Sequence, residues 1–394
     1  MPVNFVQVKQ NLPSYSQNVK ALKAEEDRLG AELWADLQAA SDNVAAIREK
    51  IMASASRIKN LWCACPTDEP LLTHRPCPAL PSHYTIMAAD GSQILPSRHK
   101  AIPFCVVNVG VIIARMGSGD PPDCLMHSLL VDYPKLFSAD GGLVNDDMVS
   151  LWRDHAERLA LMDHIDGLSA PIITLTDGLL GLYMGSRSDM DAEPYASEIY
   201  QAYKDLESLG VIAAGYIDKP GSDLIGRMFS LLRMPDDEIT RFDAKTRYYK
   251  GIPDAVLLSR VLSNPGERSA IFKVISTQDR KSENDLEVHF FFINIGTAEN
   301  PYLVRVEIPG WIVRFEDRID FLHAAIVHEA RVLDTHPYPY ILHRAHELAV
   351  IHMDEHDEVE RLLIEAYSEQ GIPLGVQSNK EANKIITGRE RPDE

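Results

Sequence analysis

A chain of 394 residues, 45% hydrophobic and 25% charged, can bury a large core and lacks the compositional bias of a disordered polymer. Its 39 basic against 58 acidic residues leave a net charge of −19, which argues against a protein that coats nucleic acid through clustered Lys and Arg. A nuclease is not excluded, because carboxylates that gather divalent cations make an active site acidic and the bound ions invert the local sign.

From the N-terminus, residues 14–61 carry apolar positions Val19, Leu22, Leu29, Leu33, Leu37, Val44, Ile47, Ile51 and Ile58 at mostly helical spacing. Residues 1–65 therefore read as a helical extension. Such a helix is longer than one core needs, which suits an oligomer or partner contact. The Pro-rich stretch 66–82 reads as a linker. Around it, Cys63, Cys65, His74 and Cys77 are either a zinc site or unrelated loop cysteines, and the single residue between Cys63 and Cys65 departs from structural zinc patterns. Cys105 sits in an apolar run and reads as core. No run has the roughly 18 apolar residues of a membrane span, the start lacks a basic-then-apolar signal pattern, and five cysteines fit a reducing compartment. The expected location is the cytoplasm, with no membrane contact.

The next stretch, residues 84–93, is an apolar run that stops on Asp90-Gly91-Ser92 and reads as a buried strand delivering a carboxylate to a sheet edge. Further apolar runs at 102–114 and 125–133 predict two more strands. A helix follows over 146–167, with Val149, Trp152, Ala156, Leu159 and Met162 on one face. Residues 171–176 then repeat the first device, ending on Asp177-Gly178. After a helix near 198–209, the run 211–217 ends on Asp218-Lys219-Pro220-Gly221-Ser222. Each Asp-Gly alone is as consistent with a plain turn. Their repetition favours chemistry, since open α/β sheets bind ligands outside the carboxyl ends of their strands.

Three strands, helix, strand, helix, strand is the order of a ribonuclease H-like domain, a mixed sheet flanked by helices. In such a fold the first and fourth strands lie side by side and parallel, making Asp90 and Asp177 neighbours. Two carboxylates that close repel unless a cation lies between them, and hard oxygen ligands suit Mg²⁺ or Mn²⁺. The chemistry this serves is two-metal phosphodiester hydrolysis, with ions about 3.5–4 Å apart.

Residues 222–232 predict the next helix, and 235–280 read as an irregular insertion. There Arg241, Lys245, Arg247 and Lys250 surround Tyr248 and Tyr249, either a patch for single-stranded DNA or a solvated loop. A hairpin over 287–295 and 302–308 extends the sheet, helices cover 314–333 and 341–367, and a polar tail occupies 371–394. The nuclease domain is expected over 83–370.

Ala89-Asp90-Gly91-Ser92, Leu175-Thr176-Asp177-Gly178-Leu179, Gly215-Tyr216-Ile217-Asp218-Lys219-Pro220 and the segment from His336-Pro337-Tyr338 to His343-Arg344-Ala345-His346 occur in one order. In them the chain resembles the NurA nucleases that work with the HerA hexameric translocase on DNA ends. The resemblance implies a homodimer with two Mn²⁺ or Mg²⁺ ions per site, a 5′-3′ exonuclease and single-strand endonuclease in end resection. It places the strand acids on Asp90 and Asp177 and a helix glutamate on Glu157, with Asp154 and Asp163 as alternatives. Tyr338 falls on a substrate or water contact and His346 on a metal ligand, with His343 one turn earlier; His352 and His356 read as a polar helix face. Ser92 and Lys219 are expected at substrate, while Asp218 has no assignment.

No Gly-x-x-x-x-Gly-Lys-Ser/Thr motif occurs, so a partner ATPase must supply energy. A zinc-protease reading of His346-Glu347 fails at Val350. The rivals are an inactive ribonuclease H-like module that binds DNA or the ATPase, the same nuclease serving defence against foreign DNA, and an aspartyl phosphatase. The last wants acids where Ser92 and Leu179 stand.

Overall fold

The computed structural model describes residues 3–138, 141–181, 189–243, 245, 247–276, 286–333 and 336–375. Helices α1 (Phe5–Ala39) and α2 (Val44–Ala55) lead into strands β1 (Trp62–Pro66) and β2 (His74–Arg75). Then come β3 (Tyr84–Ile94), β4 (Val106–Met116), β5 (Asp123–Leu130), α3 (Asp146–Asp163), β6 (Ile172–Asp177), α4 (Asp189–Ser208) and β7 (Ile212–Ile217). The chain continues through α5 (Leu224–Leu232), α6 (Asp254–Leu258), β8 (Arg268–Ser269), β9 (Phe272–Ser276), β10 (Val288–Asn294) and β11 (Leu303–Pro309). Helices α7 (Gly310–Val313), α8 (Glu316–Val332), α9 (Tyr340–Ala349) and α10 (Met353–Glu369) close it. No described helix is long and apolar enough to cross a membrane.

Two compact units divide the chain within β7: Met1–Leu80 with Gly215–Pro337, and Pro81–Ala214 with Tyr338–Glu394. The boundary cuts through the segment 83–370 expected to be one domain. In the first unit, β1, β9, β10, β11 and the end of β7 pair antiparallel in that order. Its core joins Leu33, Leu37 and Ile51 of the N-terminal helices to Met228 and Phe229 of α5 and to Phe272, Phe290 and Phe292 of the sheet. In the second unit, β6 pairs parallel with β3, and β3–β4–β5 form an antiparallel meander. The sheet is therefore mixed, as the order of elements led one to expect. Its inner strands are dense in β-branched residues, notably Val106, Val107, Val109, Val111, Ile112 and Ile113 of β4, all buried because helices cover them.

Several expected boundaries move. The helix expected over 14–61 breaks at Ser41-Asp42-Asn43, a cluster whose side chains compete with helical hydrogen bonds. Residues 62–65, the end of the expected helical extension, are strand: β1 pairs with β9, which places Cys63 and Cys65 in a buried strand rather than a loop. Burial pushes the Cys65 thiol up to about 11. The Pro-rich stretch contributes β2, and the segment 235–280, read as irregular, contributes α6, β8 and the integral strand β9. Tyr249 is fully buried and donates to Asp36, so its ring offers no stacking platform to bases, while Tyr248 is exposed and donates to Glu32. The helix expected over 341–367 is two helices, broken at Val350, and His352 caps α10. Of the expected tail, residues 376–394 lie outside the described residues.

Candidate active site

Along the parallel pair, Thr85 stands opposite Ile172 and Ala89 opposite Thr176, so the next step on both strands is Asp90 and Asp177. Successive residues of a strand point to alternate faces, and equal steps on parallel neighbours share a face. The two carboxylates thus occupy adjacent positions. Asp177 ends β6, but Asp90 does not end β3, which continues through Gly91, Ser92 and Gln93 paired to β4. The strand expected to stop on Asp90 therefore runs on, and the alternative Asp-Gly turn does not form there. Gly91 instead clears space: a Cβ on it would lie 2.6 Å from Arg153 Cγ and 2.8 Å from Glu157 Oε1. Glycine lets α3 bring Glu157 against the strand that carries Asp90.

Helix α3 begins cleanly, with Asn145 accepting from the Met148 N–H and Asp146 and Asp147 in the first turn, where the helix dipole favours acids. One of its faces buries Val149, Trp152 and Leu161, and Glu157 is buried with them at 3% exposure. Its partners are ion pairs: Arg153 Nε at 3.3 Å and Arg158 at 4.0 Å. The buried Arg153 Nε has no hydrogen-bond acceptor among the described residues. Burial therefore dominates and pushes the Glu157 carboxyl up to about 8; Arg158 and Arg153 oppose this, Asp154 and Asp90 add to it.

His346 reaches the same place from α9, with Nδ1 2.7 Å from Asp90 Oδ2. A carboxylate only accepts, so Nδ1 carries the proton and Nε2 is the nitrogen left for other work. Helix α9 is tied down nearby, since Ser92 Oγ and Asn108 Nδ2 both donate to the Ala349 carbonyl. The Ser92 hydroxyl hydrogen is thus committed to main chain and is not available to a substrate phosphate. His343 pairs with Glu347 at 3.4 Å instead of meeting Asp90. Tyr338 is half-buried in the segment leading into α9.

The sequence matches the NurA domain family over residues 84–351, more than half of the chain. This chain belongs to the NurA family. Membership makes it a nuclease. Among solved structures it is similar to the NurA nuclease from Sulfolobus solfataricus, at 12% identity over 83% of this chain and 93% of that one, with a TM-score of 0.48. Drosophila Piwi (9% identity, 67% and 29% of the chains, TM-score 0.30) and the type 1 RNase H LC9-RNase H1 (16%, 35% and 64%, 0.21) are further matches. No curated protein matches significantly.

Of the positions expected from the NurA resemblance, the second unit gathers Asp90, Glu157, Asp177 and His346. Lys219 belongs to the first unit, exposed, at φ +44 ahead of Pro220. Asp218, beside it, accepts from the Tyr302 hydroxyl at 3.0 Å, a link from β7 to β11. Two arginines escaped the sequence reading, Arg153 and Arg158, although both flank Glu157 on the same helix. Among the described residues, the one group of three whose possible ligand atoms all lie within 4.8 Å is His356, Asp357 and Glu360, and there Lys100 already pairs with Glu360 at 2.7 Å. Neither the NurA carboxylates nor Cys63, Cys65, His74 and Cys77 converge that tightly. Asp90, Glu157 and Asp177 offer oxygen donors of the kind a hard divalent cation takes, and Glu157 is buried at 3% exposure.

A pH dependence follows. An acid whose pKa rises on folding ionises first in the unfolded chain, so stability falls as pH climbs from the unfolded value to the folded one. Glu157 at about 8 and buried Asp254, pushed by desolvation to about 7, both act this way. Below pH 6.5 His289 and His323 oppose them, because burial lowers both to about 4 and the unfolded chain takes up protons first. Without metal, the protein is expected to lose about 2 kcal/mol between pH 6.5 and 8.5. Denaturant unfolding in EDTA checks this; equal or greater stability at pH 8.5 would count against it.

Proposed function

We propose that this NurA protein is a divalent-metal-dependent deoxyribonuclease that hydrolyses phosphodiester bonds. Asp90, Glu157 and Asp177 would hold Mn²⁺ or Mg²⁺, with His346 Nε2 as a further ligand or proton carrier. The observation that carries the reading is the adjacency of Asp90 and Asp177 by strand register, with buried Glu157 brought against the same strand at Gly91. Bound ions would supply an activated water and stabilise the charge that develops on the leaving oxygen. Asp90 and Asp177, on a paired sheet, fix ligand positions more rigidly than loops would. Glu157 gives up its proton when it becomes a ligand. His346, held in one tautomer by Asp90, offers Nε2 as a ligand atom or proton acceptor. Tyr338 is assigned to substrate or water, and Lys219 to a substrate phosphate as a point charge.

The family resemblance supports a HerA-like hexameric ATPase as partner, action on DNA ends with 5′-3′ polarity, and cleavage of single strands in end resection. A homodimer accords with α1, where Phe5, Val8, Leu12, Tyr15 and Leu22 follow helical spacing and are exposed. End-labelled duplex and single-stranded DNA, incubated with Mn²⁺, Mg²⁺ or EDTA with and without the cognate ATPase, tests the reading. Cleavage with metal and none with EDTA is expected; cleavage that persists in EDTA, or none under any condition, would overturn it.

A further inference from the structure

We propose that Arg158 is a positioning residue that fixes the Asp177 arm of the site through the Leu179 carbonyl; the inference rests on the metal-site reading above. The Arg158 side chain is only 5% exposed, and all three guanidinium nitrogens have work. Nε donates to the Tyr203 hydroxyl at 3.1 Å, Nη1 to the Asp154 carbonyl at 2.8 Å and Nη2 to the Leu179 carbonyl at 2.9 Å. One rigid fork thereby joins the helix that carries Glu157, helix α4 and the segment just past Asp177.

That segment needs an anchor. Gly178, between Asp177 and Leu179, adopts φ +96, so the chain leaves strand geometry immediately after the carboxylate. A cation buried this deeply is costly unless its donors are satisfied, and simple filling of the space would be served as well by an apolar side chain. Behind the arm, Arg158, Tyr203 and Thr176 line a cavity that leaves about 10 Å³ for the centre of a water molecule. Thr176 Oγ1 is buried there without a partner among the described residues, so one water would join it to the same network.

Lysine keeps the charge but cannot span three acceptors, which makes Arg158→Lys the informative variant. Arg158→Met removes all three donors and should show the same effects, while Ile199→Ala, a core truncation in α4, reports on stability alone. Hydrogen exchange of residues 177–181, Mn²⁺ binding by calorimetry and cleavage of a labelled single-stranded oligonucleotide are measured on each. Arg158→Lys should raise exchange at 178–181 about tenfold, weaken Mn²⁺ about tenfold, and lower kcat more than it changes KM. Ile199→Ala, at a comparable loss of Tm, should do none of these. Wild-type exchange and Mn²⁺ affinity in both Arg158 variants would overturn the proposal. If the unaltered protein neither binds Mn²⁺ nor cleaves DNA, the nuclease reading fails separately, and exchange at 178–181 alone then upholds or overturns the Arg158 anchor.

Discussion

Asp90→Asn is expected to lower metal-dependent DNA cleavage by about 10³-fold or more, the scale on which a preorganised charge stabilises a transition state. The substitution is nearly isosteric, and asparagine can still accept from His346 Nδ1, so the 2.7 Å contact that joins α9 to β3 is retained. What disappears is one negative charge beside Glu157 and Asp177. Because Asp90 is among the charges that hold the Glu157 carboxyl up near 8, its removal relieves the metal-free protein. The variant should therefore unfold at the same temperature as the wild type or higher in EDTA, and Mn²⁺ should no longer raise that temperature. Lost activity with unimpaired stability is the mark of a site whose charges serve function rather than folding. Thermal unfolding with and without Mn²⁺, run beside the cleavage assay, separates this from simple loss of structure.

Gly110→Ala tests how α9 is held. A Cβ at position 110 would lie 2.7 Å from the Ala345 carbonyl oxygen and 3.0 Å from the Ala349 nitrogen. Both are backbone atoms of α9, so the helix must move as a body. Moving it breaks the Ser92 and Asn108 hydrogen bonds to Ala349 and withdraws His346 from Asp90. Overpacking of this kind costs about 1–3 kcal/mol, and a displacement near 1 Å at reacting groups costs about 10²-fold in rate. Gly30→Ala supplies the contrast: nothing lies within 4 Å of its Cβ position in α1, so it should gain about 0.5–1 kcal/mol and leave cleavage unchanged.

The sheet of the second unit was legible because its strands announce themselves. Runs rich in β-branched residues broken by polar turns locate β3, β4, β6 and β7, and the alternation of strand and helix orders them. Topology made the first and fourth strands parallel neighbours, and the register that pairs Ala89 with Thr176 then sets Asp90 and Asp177 at adjacent positions. The helix boundaries were less legible. Periodicity carries smoothly across Ser41-Asp42-Asn43 and across Val350, where backbone dihedrals, not apolar spacing, end the helix. Asp-Gly after a strand was misread at Asp90, since Gly91 serves close approach by Arg153 and Glu157, a requirement that only the packed helix reveals. Arg158 escaped for a similar reason. Among the charges of α3 nothing local marks it as buried, and two of its three acceptors, the Tyr203 hydroxyl and the Leu179 carbonyl, come from elsewhere in the second unit.

A crystal soaked in Mn²⁺, with data recorded at the manganese absorption edge, tests the central claim most directly. The account predicts anomalous density beside Asp90, Glu157 and Asp177, and its loss in an Asp90→Asn crystal treated the same way. Density confined to His356, Asp357 and Glu360, or none at the three carboxylates, would contradict it.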